Sequence, residues 1–438
     1  MQLVALAARG ATFSLFNQIR KRRLVSSMKI NKYFPFALVY FFINSVALPF
    51  GLTYTALLAP LFYAWLLLKR KKEVVLPFVV MLSPFILIQL LYAEIERMTY
   101  FYSLVNLVFV YVFGQAVYTF LTLCADPEKI FRRLLIINFI FCLAAIILYF
   151  TPWYRMVWME QNLTEGVQNF KRLKLFTYEA SYYAILMVPL FTFYMLQYLF
   201  RQNILKGWLL LLMIFLPYVL SFSFGVMAAL VSSGLLTYLL YFRSLTRKKR
   251  ILNSVIFIAA FSLLAICVVS FFLRDSFFLV RITNILSGED TSGKGRTSDA
   301  FFLAGELLEK RNQFWGVGLG QIKIMGTAVV RNYYMYNGEF VPTIPNATAE
   351  TLAIFGWIGL TLRLFLELFF FFHTKTWRNY YRLWLFLFIF VYQFTGSFIT
   401  NVAEYVIWIL AFTNVFPQFD VKRRKKFKVT QLQPLQAG

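Results

Sequence analysis

Residues 176–200 read FTYEASYYAILMVPLFTFYMLQYLF, with a single charge, Glu179, in the whole stretch. About 20 consecutive apolar residues are enough to cross the hydrocarbon core of a bilayer as an α-helix. In lipid, backbone polar groups are satisfied only within helices or closed barrels. The stretch therefore reads as a transmembrane helix. Similar apolar runs lie at roughly 34–49, 52–68, 74–92, 101–123, 134–151, 207–222, 225–242, 251–273, 350–372, 383–399 and 402–417. The expected fold is an all-α polytopic membrane protein of about twelve transmembrane helices. Tight breaks at Pro49-Phe-Gly51, Ser221–Gly225 and Gly396-Ser397 suggest helical hairpins turning at the membrane surface.

Composition agrees. The chain has 438 residues, of which 60% are hydrophobic and 14% charged, whereas soluble domains carry about 25% charged residues. Only Cys124, Cys142, Cys267 and His373 offer thiol or imidazole ligands. None is spaced for zinc or for a disulfide framework. No Walker A, HExxH, GxSxG or metal-spaced DxD pattern occurs, so neither a metal nor a cofactor is expected.

The formal charge of +25 has a topological cause. Basic clusters fall in alternate connections: Arg20–Arg23 with Lys29 and Lys32, Lys69–Lys72, Lys129/Arg132/Arg133, Arg201/Lys206, Arg243/Arg247–Arg250, Lys375/Arg378/Arg382 and Lys422–Lys426 with Lys428. Together they hold 29 of the 44 basic residues. Basic residues stay on the cytoplasmic side, so both termini are expected there. Nucleic acid is not needed to explain the charge. The organisation expected is a cytoplasmic or interfacial segment at 1–33, spans one to nine over 34–273, a large outer loop at 274–349, spans ten to twelve over 350–417, and a basic cytoplasmic tail at 418–438. Within the first segment, residues 1–27 read either as an interfacial amphipathic helix or as an upstream mis-start. The basic cluster there follows the apolar stretch, the reverse of a signal peptide.

The candidate chemistry lies on the outer face, where topology does not ask for positive charge. Thr151–Lys174 and Arg274–Ala349 are longer than hairpins need, and long loops are commonly functional. The second contains SDAFFLAGELLEK (298–310), with apolar positions at helical spacing. Arg172 and Lys174 precede a span, Arg281 and Arg296 lie in the long loop, and guanidinium forks suit phosphate oxygens. The acids to weigh are Glu179, about one turn into its span, Asp290 in the loop, and Glu350 at the opening of the tenth span. An ionisable group at membrane depth is a functional candidate by default. Arg363 and Glu367, four apart on one helix, are expected to pair with each other. Gly316-Val-Gly-Leu-Gly320 reads as a tight turn with close backbone approach and N–H groups available to an anion.

Several of these pieces, in order, resemble the bacterial O-antigen polymerases and O-antigen ligases. Arg172-x6-Glu179-Ala-Ser181 looks like their R…EPS segment, with Ala180 where proline is common. Asp290-Thr-Ser-Gly-Lys-Gly-Arg296 resembles the arginine segment opening their large periplasmic loop. Phe314–Gln321 (FWGVGLGQ) looks like their GVGxG turn. NATAETLAIFGWIGL, beginning at Asn346, resembles their HN…L…E…G..G segment. The resemblance covers about residues 172–360. It implies a GT-C-like glycosyltransferase of the inner membrane with its active site on the periplasmic face. The donor it implies is an oligosaccharide on undecaprenyl pyrophosphate, and a polysaccharide chain-length regulator is an implied partner alongside membrane lipids. By carry-over, Arg172 and Arg296 bind the pyrophosphate, with Lys174, Arg281 and Asn346 beside them, and no metal is required. The ligases place a histidine where this chain has Pro345-Asn346, which favours a polymerase. The general base is then Glu350, Asp290 or Glu179, in that order. A ligase acting on lipid A-core and a flippase are the alternatives.

Overall fold

The computed structural model describes residues 32–44, 53–70, 73, 75–161, 170–200, 206–245, 287, 291–334 and 340–421. It is mostly helical. Among the described residues four helices are long and apolar enough to cross a membrane: Arg97–Leu123, Pro127–Leu148, Ala180–Leu199 and Ala347–His373. Shorter apolar helices occupy Phe34–Ile43, Ala59–Lys69, Leu76–Leu90, Gly207–Ser221, Phe224–Leu240, Tyr380–Tyr392 and Val402–Phe412. Every apolar run of the sequence thus contains helix except 251–273, which lies outside the described residues, as do 1–31 and 422–438.

Ala180–Leu199 is the hub. Its residues from Ala180 to Gln197 are all buried, as a helix apolar on every side demands. It packs against Gly207–Ser221, Tyr380–Tyr392 and Val402–Phe412. One apolar core surrounds it. A second core joins Leu82, Phe85, Tyr100 and Leu107 to the loop helix Ser298–Glu309 and to Ala349–Phe355. In that loop helix Ala300, Leu303, Ala304, Leu307 and Leu308 face inward, so the helical spacing of SDAFFLAGELLEK places it over the bundle.

Two sequence expectations change. The run at 383–399 forms helix only over Tyr380–Tyr392; at 1.5 Å per residue that is about 20 Å, short of a roughly 30 Å core. The chain turns instead through 393–401, where Ser397 adopts φ +70°, before Asn401 caps Val402–Phe412. The fold is also not purely helical. Trp158–Gln161 and Phe170–Leu173 form an antiparallel ribbon in which Met159 faces Arg172. Four-residue strands leave too short an alternation to stand out beside a transmembrane pattern.

The glycine turn is built into a broken helix. Gly356, at φ +67°, interrupts Ala347–His373. The 313–318 segment plugs the break. Trp357 and Ile358 donate to the carbonyls of Gln313 and Phe314, while Val317 and Gly318 donate to those of Ala353 and Ile354. Gln89 Nε2 bridges the Trp315 and Ile354 carbonyls at 2.8 Å each. A Cβ on Gly316 would lie 2.2 Å from the Ile354 oxygen, so only glycine fits. The expected close backbone approach is present, but the N–H groups of Val317 and Gly318 are spent on the helix rather than held for an anion.

Candidate functional site

Four stretches of chain converge on one cleft. Its walls include Tyr178, Glu179, Ser181, Arg296, Tyr392 and Asn401. Glu179 is not one turn inside its helix. It is the N-cap residue, in extended conformation, with Ala180 as the first helical position. Its carboxylate accepts a hydrogen bond from the Ser181 hydroxyl and faces the Arg296 guanidinium at 3.7 Å. Both partners are partly exposed, so a ligand has access to them.

Arg296 ends the short helix Thr291–Arg296. Its position is set through its backbone by Asn346. The Asn346 amide donates to the Arg296 carbonyl at 2.7 Å and to the Phe394 carbonyl at 2.6 Å. Its oxygen accepts from the Ala349 N–H and the Thr348 hydroxyl. Asn346 is fully buried and caps Ala347–His373. Its hydrogen bonds go to the protein, which makes it a positioning residue rather than a ligand contact.

Arg172 stands behind the cleft wall. It is 5% exposed and its Nε donates to the Ser221 carbonyl at 2.9 Å, tying the ribbon to the turn after Gly207–Ser221. Lys174 is half-buried; its backbone N–H donates to Val157 and its carbonyl accepts from Thr177. Arg281 and Asp290 lie outside the described residues. Glu350 does not line the cleft. One of its oxygens accepts the Ile399 N–H at 2.7 Å, which steadies the 393–401 loop that forms one wall.

The same loop borders a charge cluster that the sequence showed only in part. Arg363 pairs with Glu367 at 3.1 Å, as the i,i+4 spacing predicts. It also pairs with Glu404 and donates to Gln393 and Thr351. The Gln393 amide returns to Glu367 at 2.8 Å. Ser397 donates to Glu404 at 2.6 Å and accepts from Asn401 at 2.9 Å. Sequence reasoning passed over Glu404, although an acid in the apolar run 402–417 is the signal that singles out ionisable groups in spans.

Above the cleft, Tyr333 and Tyr334 both donate to the buried Asp299 carboxylate, at 3.1 and 2.9 Å. Burial, then the hydrogen bond to Asp299, pushes the Tyr334 phenol well above its ordinary value, so it remains a donor at neutral pH. This latch fastens Ile322–Tyr334 to Ser298–Glu309, directly after Arg296.

No family model and no curated protein matches this chain.

Proposed function

We propose that the chain is a membrane glycosyltransferase of the surface-polysaccharide polymerase type. In this reading it moves a glycan from a polyprenyl pyrophosphate carrier to the non-reducing end of a lipid-linked repeat unit. The observation that carries the reading is the cleft itself, where Arg296 and a partly exposed carboxylate, Glu179, sit 3.7 Å apart with hydroxyl groups around them. Arg296 takes the pyrophosphate oxygens, and buried Arg172 adds positive potential from behind. Fixed cations placed where negative charge develops on a leaving group are the largest usual source of catalysis. Among the described residues Glu179 is the candidate acid that lines the cleft, so it replaces Glu350 as first choice of base. Once the anion draws Arg296 away, the carboxylate is free to accept the proton of the attacking hydroxyl. The sorting of basic residues into the opposite set of connections supports an outward-facing cleft, the side on which the resemblance to O-antigen polymerases puts the reaction.

The test is glycan length in a strain whose surface polysaccharide depends on this gene. Arg296→Ala and Glu179→Gln are expected to give single-repeat glycan in place of a ladder. Losing an exposed ion pair costs about 0–1 kcal/mol, so expression and thermal stability should hold. Full ladders from both variants at normal expression would refute the assignment. Long lipid-linked chains with no surface glycan would mark a ligase instead.

A further inference from the structure

One wall of the cleft carries an aromatic ring that the reaction assigned above does not use. Tyr178 lines the cleft beside Glu179, Ser181 and Arg296, and it is 41% exposed. A tyrosine at a membrane boundary ordinarily belongs to the interfacial aromatic belt. Tyr178 is set differently, because it borders a cleft that also holds an arginine and a carboxylate.

The ring is fixed both through its backbone and from behind. The Thr177 N–H donates to the Lys174 carbonyl at 3.1 Å. The Thr177 hydroxyl is shared between the carbonyls of Lys174 and Glu179, at 2.6 and 2.8 Å, so it spans Tyr178 on both sides in sequence. Behind the side chain lies the ring of Tyr182, one helical turn on, with centroids 4.8 Å apart and planes inclined by 32°. Tyr182 is buried, and its hydroxyl accepts from the Asn44 amide at 3.1 Å. The Asn44 side-chain oxygen accepts the Thr55 N–H at 3.0 Å. One face of the Tyr178 ring is therefore covered by a fixed ring, and its exposed surface belongs to the other face and the edge. A contact surface already held in place loses little conformational entropy when a ligand arrives.

We infer that the Tyr178 ring is the platform for a sugar of the lipid-linked glycan, the one joined to the pyrophosphate. The inference rests on the glycosyltransferase reading, and it names the residue by which the site tells a loaded carrier from a bare one. A pyranose presents a face of C–H bonds and a rim of hydroxyls. The C–H face lies on the Tyr178 ring, whose π face carries the negative end of its quadrupole. The hydroxyl rim meets Ser181 and Asn401, which line the same cleft. The Ser181 hydroxyl donates to Glu179, so its lone pairs accept from a sugar hydroxyl. Glu179 faces Arg296 at 3.7 Å and Tyr178 directly precedes Glu179, so with the pyrophosphate on Arg296 the first sugar is the part of the ligand that comes beside this ring.

The experiment is native mass spectrometry of the full chain in detergent, titrated with two probes. One is undecaprenyl pyrophosphate, and the other is the lipid-linked repeat unit extracted from a strain lacking this gene. The parent should bind the repeat unit more tightly. Tyr178→Ala should weaken that binding by about tenfold, the upper end of what an aromatic contact contributes, and leave the bare carrier bound as before. Tyr178→Phe keeps the ring and should bind both probes like the parent. A ring with only a structural or belt role would move both probes alike, so equal loss for the two probes in Tyr178→Ala overturns the inference, as does no loss for either. Arg296→Ala should weaken both probes. If it weakens both while Tyr178→Ala leaves their ratio unchanged, the platform alone is overturned; if it weakens neither, the pyrophosphate assignment fails and the platform with it.

Discussion

Arg296 and Arg363 stand on either side of the 393–401 loop and live in opposite circumstances. Among the described residues Arg296 meets one carboxylate, at 3.7 Å, and it borders open space. Arg363 meets two carboxylates, a glutamine, a threonine hydroxyl and a backbone carbonyl. A half-buried guanidinium whose three nitrogens all have partners holds helices together, because removing it from water is repaid only by complete pairing. A guanidinium with one long contact keeps donors for something else. Partner count therefore separates the structural arginine from the one proposed to bind substrate.

The comparison breaks most visibly at Arg363. Arg363→Met leaves Glu404 and Glu367 buried without their cation, and removing one member of a buried pair costs about 3–5 kcal/mol. Loss of the folded protein, read as a large drop in thermal midpoint in detergent, is expected. Arg363→Met combined with Glu404→Gln should recover part of the loss. If Arg363→Met is as stable as Arg296→Ala, the two arginines do not differ as described.

Asn346 sharpens the contrast because it joins the two regions. Asn346→Ala removes the cap of Ala347–His373 and both donors that hold the Arg296 and Phe394 carbonyls. A lost cap costs about 1 kcal/mol and orphaned carbonyls add to it, so about 2 kcal/mol is expected. On the proposed polymerase activity, glycan length should shorten too, since Arg296 loses its support. A variant with full-length ladders and an unchanged thermal midpoint would deny Asn346 this role.

The smallest effect falls outside both regions. Glu96 caps Arg97–Leu123, and hydrogen bonding from Thr99 holds its carboxyl below the usual carboxylate range. A depressed folded value means that the stabilisation is present above the unfolded value and lost as pH falls through the folded one. Thermal midpoints measured down through the acid range should therefore fall by slightly less in Glu96→Ala than in the parent. Identical acid profiles would show that the cap contributes nothing.

Much of this architecture was legible locally. Apolar runs located the helices, because a spanning segment must be continuous in sequence to satisfy its own backbone. The Arg363–Glu367 pair followed from four-residue spacing on one helix, and GVGLG announced a turn that only glycine can make, since its positive φ values are local backbone states. The loop helix was visible in the spacing of Ala300, Leu303, Leu307 and Leu308. The site was legible only as a list of residues. That Glu179 rather than Glu350 meets Arg296, that Arg172 is buried against Ser221, that Asn346 is a clamp and that Glu404 completes the Arg363 cluster were all decided by contacts between residues far apart in the chain. Helix periodicity records which side of a segment is apolar, but not which partner that side meets. The sequence by itself therefore determined the helices and the membrane class. The tertiary structure alone decided which charges are answered by other side chains and which are left facing a cleft.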